Sequence, residues 1–115
     1  FTGGQETTVR MLSFAIRLIA SDVELQNRLR ADRAAVGNFI EEVLRFESPL
    51  RSQFRMARVD TAVAGVDIPA GSDLLLLPGA ANRDPRMFPD PDVFDVDRIF
   101  SNGDFARVVA DFDDV

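Results

Sequence analysis

Helical spacing of apolar residues runs through the first 47 residues of the chain and stops at Ser48-Pro49. That break constrains the fold more than any other feature. The residue before a proline avoids the helical region, and the proline has no N–H to give to a helix. Upstream, residues 5–20 carry Leu12, Ile16 and Ile19 at helical spacing, with Val9, Ala15 and Leu18 broadening the stripe. So much of that circumference is apolar that the helix is expected to be largely buried. Ser21 to Glu24, "SDVE", has the form of a capping box and starts a second helix with Leu25 and Leu29 on one face. A third helix is predicted from about Arg33 to Glu47, with Val36, Phe39, Ile40, Val43 and Leu44 as its apolar stripe.

Beyond Pro49 the text changes character. "RSQFRMAR", "TAVAGVDI" and "SDLLLLP" are short runs separated by Gly65 and by Pro69-Ala70-Gly71. They read as two or three strands with a hairpin around Ala64-Gly65. Asp84-Pro85 has the form of an N-cap followed by proline at the first helical position, which predicts one short helical turn. Residues 88–98, "FPDPDVFDVDR", hold two prolines and four aspartates and are expected to be ordered but irregular. The fold class is therefore α+β: helices first, then a small antiparallel sheet and an irregular meander. No internal repeat or linker divides the chain.

Composition narrows the function. The 115 residues are 46% hydrophobic and 28% charged, which fits a globular chain. The net charge is −6 and the thirteen basic residues, all arginine, are scattered, so no clustered positive face exists for nucleic acid. There is no cysteine and no histidine, which removes disulfides, thiolate metal sites and imidazole catalysis from these residues. Arg17 breaks the longest apolar stretch, and no signal-peptide pattern is visible, so no membrane role and a cytoplasmic location are expected.

Three places carry candidate chemistry. In "FTGGQETT", Thr2 and Gln5 fit a capping box, and Glu6 then sits where an acid suits the helix dipole. Alternatively, Gly3 and Gly4 thin and bend the helix so that a small ligand approaches its backbone, with Glu6 and Thr7 as an acid–alcohol proton relay. Glu42 and Arg45, three apart, are neighbours on the side of the third helix away from its stripe. They form either a solvated surface pair or an anchor under a second layer of chain, for which the acidic loop ending in Arg98 is the candidate. Arg55, in "FRMARVD", is either an exposed cation or a clamp for a cofactor carboxylate or phosphate. In the tail, Phe105, Val108, Val109 and Phe112 predict a short amphipathic helix that packs on its own domain or binds a partner.

The order of these motifs says more than any one of them. "GGQETT", "EEVLR", "RMARVD", "IPAG", "ANRDP" and "FPDPDVFDVDR" together resemble the C-terminal half of cytochrome P-450 monooxygenases of the soluble bacterial type, over residues 1 to about 98. The resemblance implies that Gly3, Gly4, Glu6 and Thr7 belong to the oxygen-binding stretch of a long helix crossing the haem face. Glu6 and Thr7 would deliver protons to dioxygen. Glu42, Arg45 and Arg98 would form a structural triad, and Arg55 would contact a haem propionate. The cofactor of the complete fold would be haem b, with electrons from a ferredoxin or a flavoprotein reductase.

The chain also departs from that family. After Arg98 the text is "IFSNGDFARVVADFDDV", without the Phe-Gly-x-Gly loop and its iron-ligating cysteine. The expectation is an interior segment, residues 1–98, with a diverged acidic tail, residues 99–115. It would be inactive alone and bind no metal through a thiolate. The alternative is a non-catalytic remnant or split half that self-assembles or binds a complementing chain.

Overall fold

A computed structural model describes residues 2–98 and Phe100. Three helices come first: α1 (Thr2–Ser21), α2 (Val23–Ala31) and α3 (Ala35–Phe46). Strands β1 (Gln53–Met56), β2 (Thr61–Val63), β3 (Val66–Ile68) and β4 (Asp73–Leu76) follow, then a single helical turn, α4 (Pro78–Ala81). From Asn82 to Arg98 the backbone is a run of turns and bends. The predicted tail helix lies outside the described residues.

Local chemistry explains most boundaries. Ser21 does not start α2. It closes α1, its hydroxyl donating to the Leu18 carbonyl at 3.0 Å. The cap is Asp22, whose carboxylate accepts from the Leu25 N–H at 2.9 Å. Two adjacent residues were competent to cap, and the carboxylate took the position. The hairpin expected around Ala64-Gly65 is present, and the segment holds four strands where two or three were expected. "TAVAGVDI" is itself a hairpin, with β2 and β3 joined through Ala64 and Gly65 at φ 49° and 80°. Two consecutive positive φ values give the turn whose twist matches that of paired strands. β1 pairs antiparallel with β4, Phe54 opposite Leu75 and Arg55 opposite Leu74. The result is two separate two-stranded sheets rather than one. After Asp84 there is one turn, the Phe88 N–H donating to the Asp84 carbonyl at 2.9 Å, and the Asp84 carboxylate accepts from the Arg86 N–H. The helical turn itself lies earlier, at α4, with Pro78 at its start.

The core sits where α1, α2 and α3 meet, around Ala15, Leu25, Phe39 and Val43. Met11, Phe14, Leu18 and Ile19 of α1 pack on it from one side. Phe94 and Val96 of the meander reach it from the other. Phe94 stands edge-on to both Phe39 and Phe46, at centroid distances of 5.9 and 5.7 Å. α1 is less buried than its apolar circumference predicts. Val9, Leu12 and Ile16 form a second stripe that faces away from the core and stays exposed.

Candidate functional site

The third helix is buried on both sides, and the side its apolar stripe does not occupy carries a fully enclosed ion pair. Glu42 and Arg45 retain 0% and 1% of their exposure, which rules out the solvated-pair alternative. The helix places them three apart on one face, so the carboxylate meets the guanidinium edge: Arg45 Nε–H donates to Glu42 Oε2 at 2.7 Å and Nη2 to Oε1 at 2.8 Å. Arg45 Nη1 also donates to the carbonyls of Asn82 at 2.9 Å and Pro91 at 2.8 Å, and Nη2 to that of Val93 at 3.1 Å. All five guanidinium protons thereby have acceptors.

Arg98 completes the group from the end of the meander. Its Nε–H donates to Glu42 Oε1 at 3.2 Å, and its other nitrogens donate to the carbonyls of Pro89, Asp90 and Val93. The Asp95 N–H donates to Glu42 Oε1 at 2.9 Å, the fourth donor to that carboxylate. Among the described residues no buried side-chain polar atom lacks a partner. Burial pushes the Glu42 carboxyl up, but Arg45, the Asp95 N–H and Arg98 together hold it below its ordinary value. This is a charge cluster built to stay ionised and fixed. Nothing in it is free to exchange a proton with a substrate.

The other sequence candidates lie elsewhere. Gly3 and Gly4 are in the first turn of α1. Glu6 is exposed and paired with Arg10 one turn on, at 2.6 Å. Thr7 is half-buried beside Thr8, whose hydroxyl donates back to the Gly4 carbonyl at 2.8 Å. Arg55 is exposed on β1, its guanidinium donating to the neighbouring Phe54 carbonyl at 2.9 Å and lying against the Gln53 side-chain amide. No hydrogen bond among the described residues joins Glu6, Thr7 or Arg55 to the Glu42 cluster. The structure thus assembles Glu42, Arg45 and Arg98 and leaves Glu6 and Arg55 exposed and Thr7 half-buried, apart from that cluster.

Several members of the cluster escaped sequence reasoning. The carbonyls of Asn82, Pro91 and Val93 and the N–H of Asp95 carry no side-chain signal. Arg83 is different. It donates to the Phe46 carbonyl at 2.6 Å, pairs with Asp92 at 2.6 Å and lies 4.1 Å over the Phe46 ring. Its "ANRDP" motif was visible, and the arginine in it is the signal. A further pair, Arg28 of α2 with Asp97, holds the end of the meander to the helices and depresses the Asp97 carboxyl. Among the described residues no helix is long and apolar enough to cross a membrane, and no cluster of metal-ligating side chains is found.

Three helices, short antiparallel strands and a meander clasped onto the third helix define a partial α+β fold, and comparison gives it a family. The cytochrome P450 family model matches residues 1–107. Cytochrome P450 144 of Mycobacterium tuberculosis is 43% identical over 103 residues, 90% of this chain and 24% of that protein. The biotin biosynthesis cytochrome P450 of Bacillus subtilis is 42% identical over 95 residues, 83% of this chain and 24% of that one. Among solved structures, substrate-free CYP150A6 of Mycobacterium marinum matches with a TM-score of 0.76 at 52% identity, covering 83% of this chain and 23% of its own. The ligand-free P450 monooxygenase TamI gives 0.76 at 40% identity, over 88% and 25%. The chain belongs to the cytochrome P450 family. It spans about a quarter of the length of the relatives it matches.

Proposed function

We propose that these residues are the segment of a haem-thiolate monooxygenase that carries the dioxygen-side helix and the clasped meander, and that the chain alone is inactive. In the complete enzyme Glu6 and Thr7 deliver protons on the dioxygen side, Gly3 and Gly4 let the helix approach the cofactor, and Arg55 receives a haem propionate. Glu42, Arg45 and Arg98 act structurally, fixing the meander. The substrate class is an apolar organic molecule, the cofactor haem b, and the electron donor a ferredoxin or flavoprotein reductase. The compartment is the cytoplasm. Residues 99–115 form the tail of that segment, with the family match running on to residue 107.

The observation that carries the reading is the enclosed, fully satisfied Glu42–Arg45–Arg98 cluster, built from α3 and the end of the meander in a chain that matches the cytochrome P450 family model. The donor set does not fit haem ligation, however. The 115 residues hold no cysteine or histidine, and the thioethers of Met11, Met56 and Met87 carry no donating charge. Arg55 is exposed and aimed at no acidic side chain, which suits a propionate but does not bind iron.

The exposed stripe Val9, Leu12 and Ile16 supports a second reading, in which the chain self-associates or binds a complementing chain without catalysis. Two measurements test the pair of readings. Purified chain mixed with haem, reduced and exposed to carbon monoxide is expected to give no Soret band at the thiolate-ligated position. Residues 2–98 grafted in place of the matching segment of CYP150A6, which supplies the rest of the fold, are expected to restore that band. A graft that folds but binds no haem, or a thiolate band from the chain alone, overturns the first reading.

A further inference from the structure

Arg83 and Asp92 occupy positions that the cluster chemistry does not use. Asn82 and Pro91 each lend a carbonyl to the same nitrogen, Arg45 Nη1, at 2.9 and 2.8 Å. The next residue in each segment is Arg83 and Asp92, and those two pair at 2.6 Å. The ion pair thus straps together the two stretches of backbone whose carbonyls converge on one buried guanidinium nitrogen. Arg83 is itself fixed. Its other nitrogen donates to the Phe46 carbonyl at the C-terminus of α3, where a cation is favoured, and its plane lies over the Phe46 ring. Asn82 anchors alongside, its amide reaching the Leu44 carbonyl at 3.4 Å.

We infer that Arg83 is a positioning residue that acts through Arg45: with Asp92 it sets the separation of the Asn82 and Pro91 carbonyls so that both accept from Arg45 Nη1. Asn82 is the C-cap of α4 and Pro91 lies in the meander, so no shared ladder of hydrogen bonds sets the distance between the two carbonyls, and a charged donor that loses an acceptor inside the protein is costly. The inference rests on the structural role proposed for the Glu42–Arg45–Arg98 cluster and specifies what holds that cluster in register.

The test reads the protons of Arg45 in the full chain. Hydrogen exchange at Arg45 Nη1 and Nε is followed by NMR in the wild type and in Arg83→Gln, Arg83→Lys and Asp92→Asn. Asp92 is largely exposed, so Asp92→Asn leaves the fold intact. Arg83→Gln is expected to speed Nη1 exchange by about tenfold or more, and Asp92→Asn by about threefold. Arg83→Lys, which keeps the charge beside Asp92 but not the planar fork, is expected to fall between them. The Nε–H, held by Glu42, is expected to change little in each. Unchanged Nη1 exchange overturns the inference. So does acceleration of Nη1 and Nε in parallel, or an Arg45 whose protons already exchange freely in the wild type. The measurement uses no haem, so its outcome stands apart from that of the graft.

Discussion

Glu42 and Arg98 are 56 positions apart in sequence, yet the Arg98 Nε–H donates to Glu42 Oε1 at 3.2 Å inside a closed site. This long-range bond holds the meander down on α3. Replacing Glu42 by alanine leaves two arginines facing each other without their carboxylate. Breaking an enclosed pair from one side costs about 3–5 kcal/mol, whereas Glu6→Ala, at an exposed pair, is expected to cost less than about 0.5. Urea unfolding of the two variants checks the contrast, and similar small losses for both would contradict it.

The same carboxylate gives stability a direction with pH. The folded protein holds Glu42 below its ordinary 4.5, so the unfolded chain binds the proton more readily. The stabilisation is complete above that value and is lost as pH falls from about 4.5 through the folded pKa. Asp84, pushed down to about 2 by Arg86, acts in the same sense but at the surface, where solvent screens it. Glu42→Gln is expected to be less stable at neutral pH and to lose stability less steeply as pH falls below about 4.5. An acid limb as steep as the wild type's would assign the titration to other groups.

Capping separates Ser21 from Asp22. Asp22→Ala is expected to cost about 1 kcal/mol, and Ser21→Ala a few tenths. Thermal unfolding of the two variants is the check, and the reverse ranking would restore the capping box at Ser21.

Ala64 sits at φ 49° beside Gly65 in the β2–β3 turn. A side chain that tolerates the left-handed region is favoured there, so Ala64→Asn is expected to stabilise by about 0.5–1 kcal/mol. Gly65→Val is expected to destabilise by more than that. Denaturant midpoints that move the opposite way would refute the turn assignment.

Ile16 is the most exposed member of the outward stripe of α1, at 66%. If that stripe drives self-association, Ile16→Glu is expected to lower the mass seen by light scattering at roughly tens of micromolar. A wild-type monomer at that concentration would remove the premise.

The helical half of the chain was readable because its signal is local. Leu25 and Leu29, or Phe39 and Val43, announce a face by their spacing alone, and the structure buries Leu25, Phe39 and Val43. The hairpin at Ala64-Gly65 was legible too, but the pairing of β1 with β4 as a separate sheet depends on contacts distant in sequence, and α4 is too short for any period to show. Glu42 and Arg45 mark the limit of the method. Their place on α3 followed from spacing, but their burial depends on Arg98 and on carbonyls some forty to fifty residues away. No local pattern encodes a covering layer. The exposure of Val9, Leu12 and Ile16 fails for the mirror-image reason, since a periodic apolar stripe does not say whether anything packs against it.

Arg45 and Arg98 hold the meander almost entirely by its main-chain oxygens, those of Asn82, Pro89, Asp90, Pro91 and Val93. Every residue type carries that oxygen. The clasp therefore reads no side chain of Val93, while Asp90 is constrained by its own backbone, at φ 48°. A loop held in this way is gripped along its backbone path, so its shape rests on three side chains that clasp it and on the few of its own, Phe94, Val96 and Asp97, that pack or pair inward.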